Sequence, residues 1–237
     1  MDAMSEIDEL VGNTRKARYM GIHWSKKHRK DFVVSDILDN RLIHYNMDRK
    51  RASLVRGNDN LKQPGACCFI EHPDDERLLT CALDHRGIVV FDPESDQLVY
   101  EIALDNSAVQ TLTGKGQLPH MYLGLWRIKY RGRYFLVTLN RRRAKLAYFE
   151  PFSSRTSSKS SPDHEFTIQG VDQADAREVR FGCYDTNADR IMLTTDPTNG
   201  RGKKIIAVKP DGEYNLMFIS HDAFIGVQFQ QLSYIIS

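Results

Sequence analysis

The stretch Tyr19-Met20-Gly21-Ile22-His23-Trp24, in which a glycine interrupts apolar residues, recurs in varied form along this chain. The four later copies surround Gly65, Gly124, Gly182 and Gly226. The five glycines are separated by 44, 59, 58 and 44 residues, and a period of this length is typical of propellers, solenoids and arrays. Because one such repeat cannot bury its own apolar face, we expect several units to build a functional surface together. We also expect the glycines to allow close packing of the inner strands.

Each glycine frame except the last precedes an apolar run of strand length that ends at a polar residue. These runs are residues 32–36, 78–84, 134–140 and 191–196. Their near-continuous apolar character favours strands covered on both faces. Third strands are predicted at 41–45, 88–91, 145–149 and 204–208, and fourth strands at 53–55, 98–102 and 214–218. Four antiparallel strands in ~45 residues are the pattern of a β-propeller blade.

The sequence therefore predicts an all-β protein, a propeller of about five four-stranded blades. The predicted blades are residues 19–57, 58–104, 115–152, 166–219 and a partial fifth at 220–237. Residues 1–18 resemble the end of the first blade and are predicted to add an outer closing strand, while the serine-rich residues 153–163 form a loop insertion. Since the last segment offers only two strands, we expect an incomplete ring, with an atypical closure as the alternative.

The segment Asp36-Ile37-Leu38-Asp39-Asn40-Arg41-Leu42-Ile43-His44-Tyr45 resembles the NHL repeat, in which a strand, an Asp, a short turn, an Arg and an aromatic residue follow one another. Residues 84–91 repeat this pattern, whereas the third blade has Asn140 in place of the Asp and the fourth has a longer turn. The resemblance covers residues 19 to about 218 and is closest in the first two blades. It implies a propeller of a kind that usually has six blades and recognises RNA or proteins, as TRIM-NHL proteins do.

Composition points to no ligand by itself. The chain has 33 basic and 31 acidic residues, for a formal net charge of +2, so any nucleic-acid signal must lie in the placement of the charges. Cys67, Cys68, Cys81 and Cys183 lack the spaced pairs of zinc or disulfide frameworks, and we interpret them as reduced core residues rather than metal or redox groups. With no secretory pattern at the start and no membrane-length apolar window, we expect a cytoplasmic protein, with the nucleus as the alternative.

Basic residues concentrate in the predicted turns between second and third strands, which a propeller places on one rim. The candidates are Arg41, Arg86, Arg141, Arg142, Arg143, Lys145, Arg201, Lys203 and Lys204. Lysine and arginine next to phosphates release counterions and gain affinity without reading sequence. These residues predict binding of single-stranded RNA, with the three consecutive arginines contributing most. The alternative interpretation is an exposed set of solvated turn residues.

Catalytic functions find little support in the sequence. Metal-dependent lactonase or lyase propellers use carboxylate, amide and imidazole ligands in their central channel. The inner strands here offer only His23, Gln228 and Glu178. We therefore predict no enzymatic activity, no catalytic residue, no metal, no other cofactor and no small-molecule substrate. A protein partner, for example in a ubiquitin ligase scaffold, is the main alternative to RNA, and the catalytic propeller is the distant one.

Overall fold

A computed structural model describes residues 19–24, 31–36, 40–55, 61, 64–72, 74, 77–84, 87–93, 95, 97–104, 122–152, 161–171, 173–195 and 203–220. The predicted closing strand before Tyr19 and the partial fifth blade after Ser220 lie outside the described residues.

The described chain forms four antiparallel sheets of four strands each, and in every sheet the strands lie side by side in chain order. Sheet 1 contains β1 (Tyr19–Trp24), β2 (Asp31–Asp36), β3 (Arg41–Asn46) and β4 (Arg51–Val55). Sheet 2 contains β5 (Cys67–Glu71), β6 (Leu78–Leu83), β7 (Gly87–Asp92) and β8 (Gln97–Ala103). Sheet 3 contains β9 (Tyr122–Tyr130), β10 (Arg133–Asn140), β11 (Lys145–Phe149) and β12 (His164–Thr167). Sheet 4 contains β13 (Val179–Asp185), β14 (Arg190–Thr195), β15 (Lys203–Val208) and β16 (Tyr214–Ser220), and a short helix, α1 (Gln173–Arg177), precedes it.

The prediction of all-β units with four antiparallel strands is confirmed, and the second strands show why the sequence displayed it clearly. All six residues of β2 are buried, as are the last five of β6 and the last six of β10. A strand buried on both faces needs apolar side chains in both alternating positions. The continuous apolar runs therefore mark the middle of each sheet.

The third sheet extends further than predicted. Strand β12 pairs with β11, with Lys145 opposite Thr167 and Tyr148 opposite His164. Residues 164–167 thus close sheet 3, beyond the predicted blade end at 152, and residues 166–167 do not begin the fourth blade. None of the four side chains of His164–Thr167 is buried: the first and last are exposed, and the two between them are intermediate. An outer strand of this kind lacks the apolar run that identified the others.

The described residues divide into two compact units. The first contains sheets 1 and 2 together with Phe152 and Ser161, and the second contains sheets 3 and 4. In the first unit a core cluster joins Val33 and Leu42 of sheet 1 to Phe69 and Phe91 of sheet 2. The hydroxyl of Ser35 donates a hydrogen bond to the carbonyl of Gly65 across the same boundary.

The cysteines of the first unit belong to this core. Cys67, Cys68 and Cys81 are buried and free of disulfides, while Cys183 in the second unit is half-buried and also free. Burial raises the pKa of the Cys67 thiol well above its usual range, and the neighbouring Cys68 adds to the effect. A protonated, buried thiol behaves as a small apolar side chain.

In the second unit Trp126 joins the two sheets through their repeat glycines. Its indole Nε1 donates to the carbonyl of Gly182, at 3.3 Å. A Cβ added at Gly182 would lie 2.6 Å from Trp126 Cζ2, and one added at Gly124 would lie 2.1 Å from the same atom. The glycines therefore make room for one large ring between β9 and β13, as the expectation of close inner-strand packing required.

A buried polar residue ends or directly follows the second strand of every sheet. We call these four residues, Asp36, Asp84, Asn140 and Thr195, the corner residues; they are 0%, 0%, 3% and 3% exposed. Each accepts a hydrogen bond from the chain that leads into the third strand. The donors are Arg41 Nε at 3.0 Å, Gly87 N at 3.2 Å, Arg143 N at 3.1 Å and Lys204 N at 3.0 Å, respectively. In each sheet the side chain of an Asp, an Asn or a Thr thus links the end of the second strand to the start of the third.

We expect Gly182→Ala to destabilise the protein through a collision rather than through backbone strain. The added methyl group would meet Trp126 at 2.6 Å and Leu193 Cδ2 at 2.9 Å. Overpacking of this kind costs about 1–3 kcal/mol. Urea denaturation of the variant and the parent measures the difference in free energy of unfolding.

The matched control is the same change in a Trp126→Phe background, where the smaller ring leaves space for the methyl group. The cost of Gly182→Ala should fall in that background, because contacting residues give non-additive effects. Equal costs in both backgrounds would show that the ring does not limit residue 182.

Candidate functional site

The three consecutive arginines lie in the turn between β10 and β11. We call this segment, Arg141 to Arg143 with Ala144, the basic turn. Asn140 holds its start: the side-chain oxygen accepts the backbone N–H of Arg143 at 3.1 Å, and the side-chain amide donates to the Tyr122 hydroxyl at 3.3 Å. Ala144 closes the turn at φ 52°, in the left-handed region. A buried side chain therefore fixes the backbone that presents the arginines.

The three arginines of the basic turn have different surroundings. Arg141 is half-buried, and its Nη2 donates a hydrogen bond to the backbone carbonyl of Arg177. Arg142 and Arg143 are exposed, and neither forms an ion pair with any residue in the described part of the chain. Arg141 thus fastens the turn to the segment before β13, whereas Arg142 and Arg143 offer two accessible positive charges.

Two further candidate lysines lie at or next to the start of third strands in the same unit. Lys145 is half-buried, with its Nζ 3.0 Å from a carboxylate oxygen of Glu165, which offsets part of its charge. Lys204 is also half-buried, and its backbone N–H donates to the corner residue Thr195 at 3.0 Å. Lys203 lies beside it in β15, with only its backbone described. Arg86 and Arg201 lie outside the described residues.

Arg41 is buried and forms an ion pair within sheet 1. It lies in the first unit, is only 9% exposed, and places its Nε 3.0 Å from the carboxylate of Asp36, which is fully buried. The two residues also face each other across β2 and β3. Because its guanidinium is buried and pairs with a buried carboxylate, Arg41 is not accessible to a ligand at the protein surface.

A second basic group, which the sequence reasoning missed, lies on the hairpin of β9 and β10. The guanidinium carbon of Arg127 lies 3.8 Å from the ring centroid of Tyr134, and Lys129 Nζ lies 5.9 Å from it. Tyr134 is 47% exposed. We call these three residues the Tyr134 patch.

The strand register explains this grouping. Tyr134 pairs directly with Lys129, and Leu136 pairs with Arg127, so alternate residues bring the three side chains to one face of the sheet. Residues 126–135 read WRIKYRGRYF, an alternation of basic with apolar and aromatic residues that would have revealed the patch. The prediction covered only the turns between second and third strands, so it did not include the hairpin of β9 and β10.

Positive charge concentrates in sheet 3. Residues 122–149, which form β9, β10 and β11, contain eight basic residues and no acidic one, although the whole chain has a formal net charge of only +2. Acidic residues in other parts of the chain therefore offset the positive charge of these three strands. Such a local field attracts polyanions that the overall charge would not attract.

The opposite face of the same hairpin has a mixed character. A depression of about 270 Å³ there is lined by the aromatic residues Tyr130, Phe135 and His164, by Arg131 and Arg133, and by Glu150 and Asp163. Arg133 Nη1 lies 3.3 Å from a carboxylate oxygen of Glu150, and both side chains are partly exposed. The volume falls below that of most small-molecule pockets.

Several tyrosines of the second unit act as hydrogen-bond donors. Burial raises the pKa of Tyr148, whose hydroxyl donates to the carbonyl of Pro210 at 2.6 Å. Burial, together with the hydrogen bond to Asp189 and the nearby negative charges, raises the pKa of Tyr184. Both phenols therefore remain protonated at neutral pH.

Two features are absent from the described residues. No group of three or more His, Cys, Asp or Glu side chains is arranged to hold a metal ion there. No helix in those ranges is both long and apolar enough to cross a membrane.

Comparison with known proteins shows the fold. No family model matches the chain, and no curated protein matches its sequence. The structure is similar to hydrazine synthase of Kuenenia stuttgartiensis, with a TM-score of 0.50, 11% identity, and coverage of 84% of this chain and 49% of that one. Glutaminyl cyclase of Myxococcus xanthus gives a TM-score of 0.49 at 10% identity, over 86% of this chain and 76% of that one.

This chain therefore spans about half the length of the hydrazine synthase chain that it matches. The four antiparallel sheets and the similarity to hydrazine synthase show an all-β fold of the β-propeller class for this chain. At such low identity the similarity concerns the fold alone.

We expect Asn140→Ala to destabilise the protein by about 1–2 kcal/mol, because a buried hydrogen-bonding group and the cap of the basic turn are lost together. Asn140→Asp is the matched variant, since Asp36 and Asp84 occupy the same corner in sheets 1 and 2. We expect the aspartate to retain most of the stability in thermal unfolding. Equal losses for the two variants would contradict the expectation that Asp and Asn are equivalent at this corner.

Arg41→Ala and Arg142→Ala should separate a structural arginine from a surface one. Removing Arg41 leaves the Asp36 carboxylate buried without this cation, and breaking a buried pair costs about 3–5 kcal/mol. Removing the exposed Arg142 should change the free energy of unfolding by no more than about 0.5 kcal/mol. Urea denaturation measures both, and similar values for the two variants would contradict the distinction.

Proposed function

We propose that this β-propeller is a non-catalytic recognition module that binds single-stranded RNA through the basic turn of sheet 3. The observation that carries the proposal is the accessibility of Arg142 and Arg143 on a sheet whose first three strands contain no acidic residue. Arg141 and Asn140 hold this turn in place, so the two charges are presented by an ordered backbone.

The physical basis is the release of counterions from the RNA. Each phosphate that a lysine or arginine neutralises contributes about 0.7 to the dependence of log affinity on log salt for a single strand. This attraction needs no contact with the bases. It suits a protein whose overall charge is near zero but whose third sheet is strongly basic.

Membership in the NHL type of propeller is part of this proposal. The support comes from the Asp36–Arg41 pair, in which the Asp at the end of the second strand and the Arg at the start of the third bind each other at 3.0 Å. These are the two positions that carry the resemblance in the sequence. With this proposal we place the protein in the cytoplasm, as a regulator acting on RNA.

A protein-binding scaffold is the second candidate function, favoured by strand β8. Leu98 and Val99 there are 37% and 42% exposed. Among the described strands β8 bonds only to β7 and forms the last strand of sheet 2. Under this alternative, capture of a partner from cell extract depends on Leu98 and Val99, and RNA binds no better to the parent than to a variant without Arg142 and Arg143.

The test compares two double variants with the same change of charge. Arg142→Ala with Arg143→Ala removes the accessible pair of the basic turn, and Arg49→Ala with Arg51→Ala removes two exposed arginines beside the β3–β4 turn of sheet 1. We expect the first variant alone to lower the affinity for single-stranded RNA, and to reduce the salt slope by about 1 to 1.5. Fluorescence anisotropy of a labelled oligonucleotide over a salt series gives both quantities.

Arg141 stays unchanged in this test, because its contact with the Arg177 carbonyl would confuse binding with folding. Thermal unfolding of the two variants confirms that both remain folded. Equal losses of affinity in the two variants would indicate a response to net charge alone, and no loss in either would refute the proposed site.

A further inference from the structure

Tyr134 stands out on strand β10 because of its exposure. It is 47% exposed, whereas the six residues that follow it on the strand are all buried. Large aromatic side chains lose favourable burial when they remain in water. The ring at the start of a mostly buried strand is therefore accessible to a ligand.

Two cations hold this ring. The Arg127 guanidinium lies 3.8 Å from the ring centroid, the distance of a direct stack, and Lys129 lies 5.9 Å from it. The three side chains start from paired or alternate positions of β9 and β10, so the sheet register fixes their spacing. The ring is thus oriented before any ligand arrives, while almost half of the residue's surface stays open.

The hairpin presents two basic side chains, Arg127 and Lys129, on the face that bears Tyr134. The opposite face has the carboxylates of Glu150 and Asp163 in its depression. Asp185 and Asp189 lie near Tyr184 and raise its pKa, as Tyr134 also does. Both carboxylates accept hydrogen bonds within their own turn. Asp185 accepts the backbone N–H groups of Asn187 and Ala188, and Asp189 accepts the Tyr184 hydroxyl.

We propose that the Tyr134 patch is a stacking site for one unpaired nucleobase of single-stranded RNA, with Arg127 and Lys129 attracting the adjoining phosphates. Exposed aromatic rings beside basic side chains recognise single strands in this manner, because every base has a flat face. The inference rests on the proposed function and adds a contact to bases, which the basic turn does not require. From Tyr134 to Asn140 the strand spans about 20 Å, so the RNA contacts two separate parts of sheet 3.

The experiment uses the whole chain and two single-stranded probes of equal length, a 12-nucleotide oligouridine and a ribose-phosphate oligomer without bases. Tyr134→Leu removes the ring, and Tyr134→Trp retains a stacking surface. We expect Tyr134→Leu to weaken oligouridine binding about 5-fold to 100-fold, the range that loss of one base stack produces. Tyr134→Trp should bind oligouridine as the parent does.

The probe without bases separates stacking from charge. Tyr134→Leu should leave its affinity within about twofold of the parent, and the salt slope for oligouridine should stay the same, because no phosphate contact is lost. Equal weakening for both probes, or an unchanged affinity for oligouridine, overturns the stacking site. The effect of Arg142→Ala with Arg143→Ala is measured beside it, so the proposed function is decided independently.

A second measurement needs no variant. Photochemical cross-linking of the parent protein to oligomers containing 4-thiouridine, followed by mass spectrometry of the peptides, should place a cross-link on Tyr134 or its immediate neighbours. Cross-links confined to the basic turn overturn the stacking site and leave the proposed function standing. A parent protein that binds neither probe overturns both.

Discussion

The structure depends on one constraint, the need of a buried polar group for a hydrogen-bond partner. Asp36, Asp84, Asn140 and Thr195 lie at the ends of strands buried on both faces, where water cannot satisfy them. In each sheet the partner comes from the chain that turns into the third strand. This requirement links the end of the second strand to the start of the third in every sheet.

The basic turn follows from the same constraint. Asn140 accepts from the backbone of Arg143 and donates to the hydroxyl of Tyr122, so both its oxygen and its amide nitrogen help to hold the turn. The backbone of this turn sets the positions of the arginines that follow. Arg141 donates a hydrogen bond to the carbonyl of Arg177, whereas Arg142 and Arg143 are exposed. In sheet 1 the corner Asp36 instead binds the side chain of Arg41, which removes that arginine from the surface.

Much of the fold was predictable from the sequence, because the buried middle strands carry continuous apolar runs that end at the corner residues. Strand β12 was not, because His164–Thr167 forms the outer edge of sheet 3 and needs no apolar run. For the proposed site, the sequence analysis named Arg142 and Arg143 together with Arg41. It could not separate them, because the burial of an arginine depends on a partner such as Asp36 and not on residue type. The Tyr134 patch was missed because it depends on register: Arg127 and Tyr134 are seven positions apart and meet only through pairing of β9 with β10.

Trp126 lies against the repeat glycines of both sheet 3 and sheet 4, and its indole binds the backbone of the second. One side chain thus serves two repeats, so neither glycine nor the ring can change size alone. In an array of independent repeats any unit can be duplicated, exchanged or deleted and its neighbours will still fit. Sheets 3 and 4 are instead matched to each other, and evolution must inherit or replace them as a pair.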